Sequence, residues 1–230
     1  MLVLLLITLS LLGIVFVLGP LLMFRRRHIA PGRESVGILI YFAGIGLGFM
    51  LLEISLIQKF VLFLGYPTYS LSVTLFSLLI FLGCGSFLSR RWVGRERLVL
   101  PLGVLAIALI TLFYSTGLPI IQERLLGASL FVRIIVSVGV LAPLGIVLGG
   151  FFPLGIRRAA ALDENLVPWA WGVNGCASVT ATVLTVLLAM SHGFQRVWIL
   201  SLAVYAVAVA ALLLTTTGSG STSSPDAASS

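Results

Sequence analysis

Apolar residues run in seven long stretches along the chain, and polar residues collect in the short gaps between them. Crossing the hydrocarbon of a bilayer takes about 20 mostly apolar residues in one helix. The stretches predict spans at about Leu2–Phe24, Val36–Leu56, Ser70–Leu88, Leu98–Gly117, Ser129–Gly150, Pro168–Met190 and Phe194–Leu214. The predicted fold is therefore all-α: one polytopic transmembrane helical bundle over residues 1–214. Residues 215–230, TTGSGSTSSPDAASS after Thr215, are rich in Ser, Thr and Gly and predict a disordered cytoplasmic tail.

The second stretch is longer than one crossing requires. From Val36 to Gly65 it stays apolar, with Glu53, Gln58 and Lys59 in its later half. A helix that crosses and then bends along the interface is expected before Tyr66-Pro67, because a residue preceding proline is pushed out of helical conformation. One long tilted helix is the competing reading.

Composition agrees with lipid as the surrounding medium. Sixty per cent of the 230 residues are apolar and only 9% are charged, against roughly 25% charged in a soluble domain. The charge that remains is patterned. Arg25, Arg26, Arg27 and Arg33 follow the first stretch, Arg90, Arg91, Arg95 and Arg97 the third, and Arg157 and Arg158 the fifth. In a seven-helix meander these junctions lie on one side and hold all but four of the 14 basic residues. An excess of Lys and Arg marks cytoplasmic loops, so the N-terminus is expected outside and the C-terminus inside. The net charge of +7 is accounted for by orientation, and nucleic acid is not expected as a partner. The abrupt apolar start, with arginines after the run, does not read as a cleaved signal. It suits an uncleaved span or a piece of a longer protein.

Glu53 is the most informative single residue. At 1.5 Å per residue it lies roughly 25 Å along the helix from Val36, in the outer third of a bilayer. A carboxylate at a helix centre costs about 2.5–3.5 kcal/mol to insert, and such groups usually face protein or a water-filled cavity. Arg133 enters the fifth span from the same side to a similar depth, so a pair between Glu53 and Arg133 is expected, with Gln58 or Lys59 as neighbours. That pair either fixes packing or belongs to a substrate or proton site; snorkelling to the interface is the third reading. Lys59 itself sits about 120° around the helix from Glu53.

Small residues mark close helix approach in membranes. Gly44, Gly46 and Gly48 precede Glu53, and Gly172, Gly175, Ser178, Thr182, Thr185 and Ala189 recur three or four apart in the sixth span. GIGLG lies inside a span and not at a strand-to-helix turn, so it is no phosphate loop. Asn174, near the basic end of the sixth span, needs a hydrogen-bond partner. Pro143 and Pro153 are expected to break the fifth helix near Gly149-Gly150 and open a cavity opposite Asn174. Trp92, Trp169, Trp171 and Trp198 suit interfacial belts. Cys84 and Cys176 have no metal or disulfide spacing, and His28 and His192 lie in loops without catalytic partners. No catalytic residue, metal site or cofactor is predicted.

Three blocks together resemble the C-terminal transmembrane part of bacterial spermidine-synthase-like membrane proteins: YFAGIGLGFMLLEISLIQKFVLFLGYPTYSLSV at Tyr41–Val73, GGFFPLGIRR at Gly149–Arg158, and VPWAWGVNGCASV at Val167–Val179. The matching positions are Glu53, Gln58, Pro67, Pro153, Gly155, Pro168, Trp169, Gly172, Asn174 and Gly175. Such proteins join multi-span regions to a Rossmann-type domain resembling aminopropyltransferases and S-adenosylmethionine-dependent methyltransferases. The resemblance implies a multi-pass module of the bacterial inner membrane, partnered by a Rossmann-type catalytic domain or another membrane subunit. This chain departs from the pattern by having no α/β domain, so no catalytic residue carries over. A small-molecule transporter, or a transport subunit, with a polar site near Glu53 is the alternative.

Overall fold

The structure, a computed structural model, describes residues 32–215 throughout, together with residues 4, 7, 8, 11–13 and 15. Among the described residues the chain is all helix and turn, without strands. Six helices follow one another: α1 (Arg33–Leu64), α2 (Pro67–Leu88), α3 (Glu96–Leu125), α4 (Leu130–Leu162), α5 (Leu166–His192) and α6 (Phe194–Thr215), with one 3-10 turn at Ser89–Trp92. All six are long and apolar enough to cross a membrane. The predicted first span, its arginines at 25–27 and the predicted tail lie outside the described residues, apart from the few N-terminal positions above.

The connections at Gly65–Tyr66 and Gly193 are short. Gly65 ends α1 in the left-handed region at φ 89°, its N–H bonded to the Val61 carbonyl at 2.9 Å, and Pro67 starts α2 two residues later. That conformation costs a residue with a Cβ far more than glycine. Gly193 joins α5 to α6 in the same way, with φ 80°.

The expected interfacial bend after Leu56 is absent: α1 is one continuous helix of 32 residues. At about 48 Å it exceeds the hydrocarbon thickness, and no proline or polar insertion interrupts its backbone ladder. The break expected in the fifth span is absent as well. Helix α4 runs unbroken through Pro143 and Pro153. Neighbouring tyrosines supply hydrogen bonds beside both prolines: Tyr114 Oη donates to the Val140 carbonyl and Tyr41 Oη to the Phe151 carbonyl, each at 2.7 Å. The carbonyls that the prolines deprive of a donor are those four residues earlier, Gly139 and Gly149, so the tyrosines tie α4 to its neighbours rather than replace the lost bonds.

Helix α1 is the hub, packed on α2, α4, α5 and α6, while α3 lies across α4 and α6. Its hydrophobic share is buried on several sides, including Tyr41, Phe42, Leu52, Leu56 and Phe60. By contrast Leu62, Phe76, Leu79, Phe131, Ile199 and Val207 are exposed on the outer surface of the bundle. Apolar exposure on that scale requires lipid contact. Contacts fix the directions. Tyr41 meets Gly155 and Phe63 meets Arg133, so α1 and α4 are antiparallel; Phe42 meets Asn174 and Met50 meets Thr182, so α1 and α5 are parallel. Arg33, the 90–97 arginines and Arg157–Arg158 therefore share one end of the bundle, here the basic end; the turns at Gly65 and Gly193 lie at the far end.

Glycine sets the helix spacing. A Cβ on Gly149 would run into the Leu82 carbonyl oxygen, and one on Gly85 into the Ile146 carbonyl, locking α2 onto α4. On Gly44 it would sit 2.6 Å from the Ala208 Cβ and on Gly48 2.7 Å from the Tyr205 ring, both on α6. Gly172 and Gly175, expected to pack, have open space where a Cβ would sit among the described residues. They occupy the side of α5 turned away from α1, so spacing three apart there reflects no described contact.

Gly149→Ala is expected to destabilise the bundle by about 1–3 kcal/mol, because a backbone carbonyl cannot yield to the added methyl. Gly83→Ala, with nothing within 4 Å, is expected to be neutral or stabilising by up to about 1 kcal/mol. Thermal denaturation in detergent measures both.

Candidate functional site

Glu53 lies on the side of α1 that faces α5. Phe42, Gly46, Met50 and Glu53 succeed one another at helical spacing, and the first three already touch α5. Asn174 Nδ2 donates to the Phe42 carbonyl at 3.0 Å, a Cβ on Gly46 would lie 2.6 Å from the Asn174 carbonyl and 2.9 Å from Ser178 Oγ, and Thr182 Oγ1 reaches Met50 Sδ at 3.5 Å. The parallel register, extended three residues, brings Glu53 level with Thr185. The hydroxyls of Thr182 and Thr185 are turned back onto the Ser178 and Ala181 carbonyls. A polar seam thus runs between α1 and α5 from Asn174 to Glu53.

The carboxylate is only 7% exposed and makes no hydrogen bond or ion pair among the described residues. The expected pair with Arg133 does not form. Arg133 Nη1 instead donates to the Phe63 carbonyl at 2.9 Å, one of the orphan acceptors in the last turn of α1. The reason is angular. The α4-facing side of α1 carries Leu52, Leu56 and Phe63, whereas Glu53 points to the neighbouring side. Equal depth does not make two residues adjacent when their helical faces diverge.

Gln58 is exposed, and Lys59 lies on another side of α1 with its Nζ 5.9 Å from the centre of the Trp198 ring. Neither joins Glu53. The expected cavity near Gly149-Gly150 is filled: Gly149 abuts Leu82 and Gly150 abuts the Trp92 ring. An apolar groove of about 440 Å³ lies elsewhere, between α3 and α4, lined by Leu109, Ile110, Phe113, Val136, Gly139 and Pro143. It carries no group suited to chemistry. Cys176 Sγ approaches the Gly13 carbonyl at 3.5 Å, so the first apolar stretch touches α5 there, and Cys84 is a free, exposed thiol. Among the described residues no three His, Cys, Asp or Glu side chains gather as a metal-ligand set.

At the basic end the three sequence blocks converge. Tyr41 bonds Phe151, Gly155 abuts Tyr41 and Phe42, Asn174 bonds Phe42, and the Phe152 and Trp171 rings lie 4.5 Å apart, edge to face. Sequence reading did not single out Tyr41, whose hydroxyl ties α1 to α4. It also passed over Gln122 and the indole nitrogen of Trp198. The atoms Gln122 Nε2, Trp198 Nε1, Arg133 Nε and Thr74 Oγ1 are buried without a hydrogen-bond partner among the described residues. A polar residue recurring on a buried stripe, as Gln122 does two turns after Tyr114 and one after Leu118, is the signal that would have found it. No known protein family, characterised protein or solved structure matches the chain.

Substituting each former partner separates an ion pair from independent roles. Arg133→Met is expected to lose about 1–3 kcal/mol, leaving the Phe63 carbonyl unsatisfied. Glu53→Gln is expected to keep or raise the melting temperature, since it removes a buried charge that has no partner. Equal losses from both, with no further loss in the double variant, would restore the pair.

Proposed function

We propose that this chain is the integral-membrane module of a spermidine-synthase-like protein of the bacterial inner membrane, anchoring or partnering a Rossmann-type catalytic domain. The convergence of the three blocks supports this reading. Parts of the three blocks, Tyr41 and Phe42, Phe151 and Phe152, and Trp171 and Asn174, pack together toward the basic end. Residues that define one structural unit in space are what a shared module requires. The excess of arginine at that end supports a cytoplasmic side for it, where a soluble domain would dock. Helix count and orientation follow in this reading: seven spans, N-terminus outside, C-terminus inside.

A second reading, transport of a small molecule, is favoured by one observation: Glu53 is buried between helices with no partner among the described residues. Intramembrane carboxylates of that kind mark substrate or ion pathways. In this reading the seam from Asn174 to Glu53 lines the path.

Cross-linking in intact membranes, followed by purification through a tag after Ser230, is expected to recover a Rossmann-type domain in stoichiometric amount. The tag is expected to be reachable only from the cytoplasm. A chain recovered alone, or a tag reachable from the opposite side, would remove the first reading. Under the second reading, reconstituted vesicles take up or release a small metabolite, and Glu53→Gln abolishes the flux while Gln58→Ala leaves it intact.

A further inference from the structure

A carboxyl enclosed between helices meets its charge with a cationic side chain, with hydrogen-bond donors, or by holding a proton. The described side chains beside Glu53 supply neither of the first two. Its side of α1 reads Phe42, Gly46, Met50 and Glu53, and the facing side of α5 reads Asn174, Ser178, Thr182 and Thr185, with the same spacing. Contacts join the first three in step, so Glu53 and Thr185 stand level, 7% and 0% exposed. The Thr185 hydroxyl donates to the Ala181 carbonyl at 2.7 Å, that of Thr182 to the Ser178 carbonyl at 3.0 Å, and that of Ser55 to the Leu51 carbonyl at 2.7 Å. A hydroxyl has one hydrogen to donate, so none of the three offers one to Glu53.

Charged and titratable groups on the elements packed against α1 lie elsewhere. On α4, Arg133 donates to the Phe63 carbonyl, and Arg157 and Arg158 stand at the basic end. On α5, Cys176 abuts Gly13, and the exposed His192 contacts Ser191 two turns beyond Thr185. On α6, Tyr205 packs on Gly48, on the side of α1 opposite Gly46, and Arg196 is exposed. Tyr69 and Cys84 of α2 are exposed as well. Within α1 itself, Lys59 reaches toward Trp198 and Tyr41 donates to the Phe151 carbonyl.

An ionised Glu53 is therefore a buried charge without compensation, which is costly. Its surroundings favour the smallest cation. One turn away Thr182 Oγ1 touches Met50 Sδ at 3.5 Å, and two turns away a Cβ on Gly46 would lie 2.6 Å from the Asn174 carbonyl oxygen. A hard metal ion gathers about six or more oxygens, a shell that helices in such contact do not hold. A proton needs no space and cancels the charge. The seam is also closed on one side only. Toward the far end Ala189 and Val197 close on Leu51 in a buried apolar cluster. One turn toward the basic end, Met50 is half-buried and Thr182 is exposed.

We propose that Glu53 is an exchangeable proton site: the carboxyl holds one proton inside the bundle and exchanges it at the open edge of the seam beside Thr182. The proton passes from the carboxyl oxygen to a water at that edge, leaving a carboxylate and a hydronium ion, and returns by the reverse step. Carboxyls within membrane helices serve proton relays in this way. This deepens the transport reading, and its functional part rests on that reading: the coupling ion is a proton.

The test uses the full chain in phosphatidylcholine nanodiscs, read by infrared difference spectroscopy. A protonated carboxyl shows a carbonyl stretch that a carboxylate lacks, and the band shifts when deuterium replaces the proton. The band is expected in the wild type, lost in Glu53→Gln and kept in Gln58→Ala, and it is expected to shift in heavy water. Thr182→Val, which makes the edge apolar, is expected to slow that shift by roughly tenfold, about 1.4 kcal/mol on the barrier. Thr116→Val, on the exposed side of α3, is expected to leave it unchanged. No Glu53-dependent band, meaning an ionised carboxylate, overturns the proposal. So does a band that never shifts, meaning a proton locked in for packing, and equal rates in the two threonine variants overturn the route at the edge. A saturable rise in melting temperature with lithium or sodium ions, abolished by Glu53→Gln, assigns the charge to a metal ion and also overturns it. Vesicles without proton-coupled flux, with the band and its shift intact, remove the transport reading alone.

Discussion

Everything in this bundle depends on how closely α1 can approach its neighbours. In lipid there is no water to drive apolar helices together, so association rests on close packing and on hydrogen bonds between helices. The motif GIGLG solves this for a helix that must touch two partners at once. Gly44 and Gly48, four residues apart, share a side and seat Ala208 and Tyr205 of α6. Gly46, between them, faces the opposite way and seats Asn174 and Ser178 of α5. Alternate glycines along a single turn therefore wedge α1 between two helices. A methyl at any of the three would push one partner away.

The same closeness explains where polar groups are found. Once backbones touch, a side chain on one helix reaches a carbonyl on the next, and the structure uses this repeatedly: Tyr41 to Phe151, Tyr114 to Val140, Asn174 to Phe42, Arg133 to Phe63. Each ties two helices together at a carbonyl inside the bundle. Two of them stand near the prolines of α4, at Val140 and Phe151. Glu53 differs from all of these. It is buried at 7% exposure and makes no hydrogen bond among the described residues.

Much of this was legible in the chain as written. Apolar runs of span length determine helices and require lipid, because no other arrangement satisfies the backbone in a bilayer, and arginine at alternate junctions determines which ends lie together. Glu53 and Asn174 stand out as costly residues in apolar surroundings, and Gly44 and Gly48 as places for close approach. Tertiary structure decided which faces meet. Depth along a helix follows from counting residues, but the angle between faces depends on where neighbouring helices sit. Glu53 and Arg133 match in depth and diverge in angle, so no pair forms; Gly172 and Gly175 share a stripe that meets no neighbour among the described residues. Local sequence carries the cost of each buried group, and only the packed bundle supplies, or withholds, its partner.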